Sequence, residues 1–104
     1  MEIIYNKLVR DNIPEIIKNS GGLAFTRILS DEEYLDALHK KLNEEIAEYF
    51  ESGSASELCD VLEVVYAIAE ARGISRGDLE KCRAEKSAAN GAFDNKIYLE
   101  KVEC

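Results

Sequence analysis

A three-residue connection constrains this chain more than any other feature. Ser52-Gly53-Ser54 joins two stretches whose apolar residues recur at helical spacing. After it come Leu58, Val61, Leu62, Val65, Ile68 and Ala69, a stripe covering well over ~100° of a helical wheel. Before it, Tyr34, Leu35, Leu38, Leu42, Ile46 and Tyr49 keep the same period. A link this short joins two helices only as antiparallel neighbours.

Serines mark where the helices begin. Ser30-Asp31-Glu32-Glu33 and Ser54-Ala55-Ser56-Glu57 both read as capping boxes, the hydroxyl accepting from the third backbone N–H and the glutamate reaching back. Ser75-Arg76-Gly77-Asp78 is a weaker version of the same signal. Gly21-Gly22, Gly53 and Gly73 supply the stops. Helices are therefore predicted over about residues 31–51, 55–72 and 76–89. A shorter one starts at Asn12-Ile13-Pro14-Glu15, with Pro14 where its missing N–H does no harm. Residues 23–29 and 96–102 are rich in β-branched or aromatic side chains and could pair as a small two-stranded β element. The expected fold is mainly all-α, an antiparallel helical bundle forming one domain over residues 1–104.

The formal charge of −8 is local. Residues 31–63 hold eleven acids against two bases, Lys40 and Lys41, which accounts for the whole excess. Such a balance argues against a nucleic-acid polymer or an anionic membrane surface as partner. No apolar run approaches the ~18 residues of a membrane span, and no signal-peptide pattern opens the chain. A soluble, cytoplasmic protein is expected. Cys59, Cys82 and Cys104 have no zinc or disulfide spacing, and Cys59 is expected as a buried small hydrophobe. His39 stands without a second histidine or cysteine at ligand spacing and reads as a surface or packing residue.

Within the acidic window one pattern carries chemistry. Glu44, Glu45 and Glu48 lie within about 100° on one helix, and Glu57 and Asp60 are i, i+3 on the next. At 1.5 Å rise per residue, Glu48 and Glu57 fall ~5–6 Å below the turn, and Glu45 and Asp60 ~9–10 Å below it. The hairpin thus brings carboxylates to matching levels on adjacent helices. Clustered like charges destabilise unless compensated. A hard divalent cation with oxygen ligands, Mg²⁺ or Mn²⁺, would compensate them, and open metal positions of that kind usually serve phosphates. Ligands in helices exclude an EF-hand loop, and the lack of Glu-x-x-His disfavours a di-iron bundle. The alternative is a solvated acidic face, with Glu57 engaged as capping partner of Ser54.

Glu44-Glu45-x-x-Glu48, then Glu57-x-x-Asp60 followed by Val61-Leu62-Glu63-Val64, resembles the metal-binding signature of the MazG-like all-α nucleoside triphosphate pyrophosphohydrolases. Tyr5-Asn6-Lys7-Leu8-Val9-Arg10-Asp11-Asn12-Ile13-Pro14-Glu15-Ile16-Ile17 is similar to the N-terminal motif of their small house-cleaning branch, related to phosphoribosyl-ATP pyrophosphohydrolase. The tail from Lys86 through Gly91-Ala92-Phe93 to Lys96-Ile97-Tyr98-Leu99 is similar to that branch's C-terminal stretch, with Gly-Ala where Gly-Gly is more usual. Only eight residues separate Glu48 from Glu57, fewer than in many such proteins.

The resemblance implies Mg²⁺-dependent hydrolysis of nucleoside triphosphates, noncanonical ones among them, to a nucleoside monophosphate and pyrophosphate. It implies Glu45, Glu48, Glu57 and Asp60 as metal ligands, with Glu44 or Glu45 orienting the attacking water. Lys7, Arg10, Arg83, Lys86 and Lys96 become candidates for phosphate contacts, and Asn90 for a base or ribose contact. The relatives implied are dimers or tetramers, and a hairpin with little core needs association on physical grounds as well. The alternatives are a phosphoribosyl-ATP pyrophosphohydrolase and a non-catalytic acidic module that binds metal or nucleotide.

Overall fold

The computed structural model describes residues 1–104 and contains four helices and no strand. They are α1 (Ile13–Asn19), α2 (Asp31–Ser52), α3 (Ala55–Ala71) and α4 (Arg76–Asn90). The all-α class and the boundaries of the three longer helices follow the capping signals. Ser30 closes a full box: its hydroxyl accepts from the Glu33 N–H and its own N–H donates to the Glu33 carboxylate. Gly53 takes the left-handed conformation (φ +64°) that ends α2, and Ser54 caps α3 immediately after it. That cap differs from the expectation. Ser54 accepts from the Glu57 N–H, but the Glu57 carboxylate does not return to the cap.

α2 and α3 form the expected antiparallel hairpin, and α4 touches α3. The α3–α4 contact gathers Leu62, Val65, Tyr66 and Leu79, with the Arg76 guanidinium 4.1 Å from the Tyr66 ring centroid. α1 packs on no other helix. The shape is consequently open, 63 × 32 × 23 Å with a radius of gyration of 18.4 Å, where a compact chain of this length has about 13 Å.

Three expectations are corrected here. Residues 23–29 and 96–102 form no β element. No backbone hydrogen bond joins them, and Leu23, Phe25, Ile28, Ile97 and Tyr98 are exposed. Neither segment alternates cleanly, and an isolated two-stranded ribbon is marginal in water. Leu58 and Leu62, read as core, are 48% and 52% exposed. The α3 side turned to α2 is instead the row through Glu57, Val61, Val64 and Ile68, as half-burial or burial of each shows. Cys59 is exposed, being two residues from both Glu57 and Val61 and so on the opposite side of α3. His39 is exposed too.

Only Leu38, Val64 and Ala69 form a buried apolar core, and a single charged residue, Glu45, is buried with them. At ~100° per residue, Glu44 and Glu48 fall on one edge of the α2 face turned to α3, and Ile46 and Phe50 on the other. Because α3 runs antiparallel, Asp60 joins the first edge and Leu58 and Leu62 the second. The hairpin therefore has an acidic edge and an apolar edge.

Candidate functional site

Five carboxylates line the acidic edge, and Glu45 is their common member. Glu44, Glu45 and Glu48 bring one carboxylate oxygen each to within 4.8 Å of one another, and so do Glu45, Glu57 and Asp60. The first group follows from i, i+3 and i, i+4 spacing on α2. The second is tertiary and depends on the hairpin register. The half-made cap at Ser54 matters here, because the Glu57 carboxylate faces Glu45 and Asp60 instead of folding back on its own helix.

Glu45 is 5% exposed, and its Oε2 is buried with no hydrogen-bond partner. An unpaired buried acceptor costs about 1–3 kcal/mol. Its other oxygen, Oε1, faces the Lys41 ammonium at 3.2 Å. Burial pushes the Glu45 carboxyl above the usual glutamate range; Lys41 opposes this and the neighbouring Glu48 adds to it. Glu44 behaves oppositely. Partial desolvation disfavours its charge, but Lys7 and Lys41 outweigh that and hold the carboxyl below the usual range. For Lys41 desolvation likewise acts against the charge, and Glu45 and Glu44 together raise its pKa nonetheless.

Three cations meet this cluster. Lys7 Nζ donates to Glu44 Oε1 at 3.2 Å, and Arg10 Nη2 donates to Asp60 Oδ1 at 2.7 Å. Lys41 Nζ also donates to Glu44 Oε1, at 3.5 Å. Two of these, Lys7 and Arg10, were expected near phosphate, and the structure brings both to the acids. Lys41 was not singled out, although its i, i+3 and i, i+4 spacing to Glu44 and Glu45 was a usable signal. The remaining expected contacts lie elsewhere. Arg83 lies on α4 at the groove with α3, tied to Glu80, whose carboxyl it holds below the usual range. Lys86 and Asn90 are exposed along the same helix. Lys96 lies in the C-terminal segment with a left-handed backbone (φ +58°).

The donor set suits a hard divalent ion: all-oxygen, more anionic than its own cations neutralise, and with one buried oxygen free for a ligand. Fold and site define the class, an all-α protein with a carboxylate-lined helical hairpin. No protein-family model and no solved structure matches the chain. It is similar to a protein of Mycolicibacterium smegmatis described only as uncharacterized, at 57% identity over 42 residues. That stretch is 40% of this chain and 43% of the relative, so the match spans less than half of either. No helix is long and apolar enough to cross a membrane.

Proposed function

We propose that the chain is a divalent-metal-dependent nucleoside triphosphate pyrophosphohydrolase, as its three motifs suggest. One observation carries the metal-binding part of this reading: the buried, partnerless Glu45 Oε2 at the junction of two carboxylate groups. A cation there would satisfy an oxygen that the packing of α2 on α3 leaves without a partner. Glu45, Glu48, Glu57 and Asp60 hold Mg²⁺, with Mn²⁺ as a substitute. The chemistry such an ion supplies is neutralisation of phosphate oxygens and a lowered pKa for a water. Glu44, paired with Lys41 from its own helix, accepts a hydrogen bond from the attacking water and orients it. Lys7 and Arg10 are the cations placed to meet phosphate beside the acids.

The working unit is a dimer or higher oligomer. Phe50 is 80% exposed on the apolar edge, beside the exposed Ile46, Leu58 and Leu62. A second copy covering this edge would supply the core that the single chain lacks.

The test incubates purified protein with Mg²⁺ and a panel of nucleoside triphosphates, following pyrophosphate against orthophosphate. Pyrophosphate release that disappears in a folded Glu48→Ala, Asp60→Ala double variant supports the reading. Turnover of phosphoribosyl-ATP alone would assign the chain to that reaction instead. Metal binding without turnover of any nucleotide would leave a binding module. Equal activity in the double variant would refute the assigned site.

A further inference from the structure

Lys7 and Arg10 hold the site they are expected to serve. Both lie on residues 1–12, an irregular segment preceding α1, and α1 packs on no other helix. Of the first ten residues only Leu8 is half-buried. The side-chain hydrogen bonds that fasten this segment to the hairpin are Lys7 to Glu44 and Arg10 to Asp60, across 37 and 50 residues of sequence. Asn6, with a left-handed backbone (φ +45°), turns the chain immediately before Lys7, a conformation asparagine tolerates better than most residues. The two cations grip opposite helices, one on α2 and one on α3. They therefore span the cluster.

We propose that this segment is a cationic strap that competes with divalent metal for the carboxylates. When metal takes Glu44's neighbours and Asp60, it frees Lys7 and Arg10 for the phosphates of an incoming nucleotide. The inference rests on the metal-binding reading of the site and adds its regulation. Shared acceptors support competition. Asp60 Oδ1 already accepts from Arg10 Nη2 at 2.7 Å, so an ion that takes this oxygen displaces the guanidinium, and the ion's positive charge beside Glu45 and Glu48 repels the Lys7 ammonium on Glu44. Lys41 is half-buried on α2, fixed by its own helix between Glu44 and Glu45. Lys7 and Arg10 are partly exposed, on a segment with few other anchors, and exposed pairs of this kind are weak. They are the ones that leave. The outcome is an ordered exchange: cations guard the acids until metal arrives, and then the same side chains, already at the rim, face a polyanion. Arg10 in particular exchanges a carboxylate for a phosphate, both matched to its planar fork.

Two measurements on the full chain test this. In the first, Mn²⁺ is titrated calorimetrically into wild type, Lys7→Met, Arg10→Met and the control Lys40→Met, and tripolyphosphate is then titrated at saturating Mg²⁺. Removing a competing exposed pair should tighten Mn²⁺ binding by about two- to fivefold in each strap variant. Tripolyphosphate binding should weaken in the same two variants. Lys40→Met should move neither, because Lys40 makes no ion pair. Opposite signs for metal and polyphosphate are the signature, since a general loss of folding would weaken both. The second measurement needs no variant: tryptic cleavage after Lys7 and Arg10 of wild type should accelerate on adding Mg²⁺, while amides of α2 and α3 become more protected from exchange. Mn²⁺ binding with unchanged cleavage, or with both affinities moving together in the strap variants, overturns the strap and leaves the metal site standing. Absence of Mn²⁺ binding in wild type and variants alike overturns both.

Discussion

Glu45→Gln should make the protein more stable while removing its response to metal. Glu45 is 5% exposed, with Oε2 lacking any partner and Oε1 against Lys41 at 3.2 Å. An amide occupies the same volume, keeps an oxygen for Lys41, and presents an NH₂ to the surrounding carboxylates of Glu48, Glu57 and Asp60. Lys41 retains Glu44 at 3.5 Å, so the substitution strands no charge. The gain is relief of an unsatisfied buried acceptor, about 1–3 kcal/mol, less the weakened bond to Lys41, about 1 kcal/mol. A net ~1 kcal/mol raises the melting temperature by about 4–8 °C in a domain of this size. The sign of the pH dependence is fixed as well. Burial, with Glu48 adding and Lys41 opposing, raises the folded-state pKa of Glu45, whereas the unfolded chain loses that proton near ~4.3. The folded state thus holds its proton through a window in which the unfolded state has lost it. Wild-type stability falls as pH rises through that window, and the penalty is complete above the folded-state pKa. The variant escapes this. Thermal melts in chelator should therefore separate the two proteins at pH 7, and the gap should narrow as pH falls through ~4.3 and Glu45 becomes neutral in the unfolded state as well. Millimolar Mg²⁺ should then raise the melting temperature of wild type and leave the variant nearly unchanged. A variant that melts below wild type at pH 7 in chelator, or a gap that does not narrow with acid, would refute the role given to Glu45.

Leu62→Glu places a charge in the exposed apolar edge while touching none of the five acids. Light scattering should show wild type as a dimer or larger and the variant at the monomer mass, with a lower melting temperature; a monomeric wild type would refute the assigned interface. Ser30→Ala removes the hydroxyl arm of the α2 capping box and should cost about 0.5–2 kcal/mol in denaturant unfolding. Its calorimetric Mn²⁺ affinity should stay at the wild-type value, because the cap lies at the far end of α2 from Glu45.

The helices were legible in the sequence because their signals are local. Ser30 and Gly53 bound α2 through contacts within a few residues, and the same chemistry fixes the start of α3. The hairpin was legible because a connection through Gly53 and Ser54 leaves no other arrangement. Sequence spacing also brought Glu44, Glu45 and Glu48 together. What escaped it was rotation about the α3 axis. The stripe containing Leu58 and Leu62 is broad enough to face α2 in more than one way, and nothing local says that Val64 goes in while Leu62 stays out. For Glu57 the sequence offered two readings, a capping box and a tertiary carboxylate cluster competing for the same side chain, and only the folded hairpin decides between them. Lys7 and Arg10 are 37 and 50 residues from their partners, beyond the reach of any periodic pattern.

The two edges of the hairpin also constrain each other. Glu45 can be buried only while α2 and α3 keep their register, yet the acids converging on Glu45 push those helices apart. With Leu38, Val64 and Ala69 as the whole buried apolar core, little apolar attraction within one chain opposes that push. Cations on the acidic edge oppose it directly, and cover on the apolar edge opposes it indirectly by fixing the same two helices from the other side. Both act on one variable, the α2–α3 spacing. If metal and a second copy each favour the closed spacing, reciprocity requires that each strengthen the binding of the other. The absence of a large core in the single chain is then part of how the acidic edge can respond to its ligand, since a hairpin locked by its own packing would have no equilibrium left for a cation to shift.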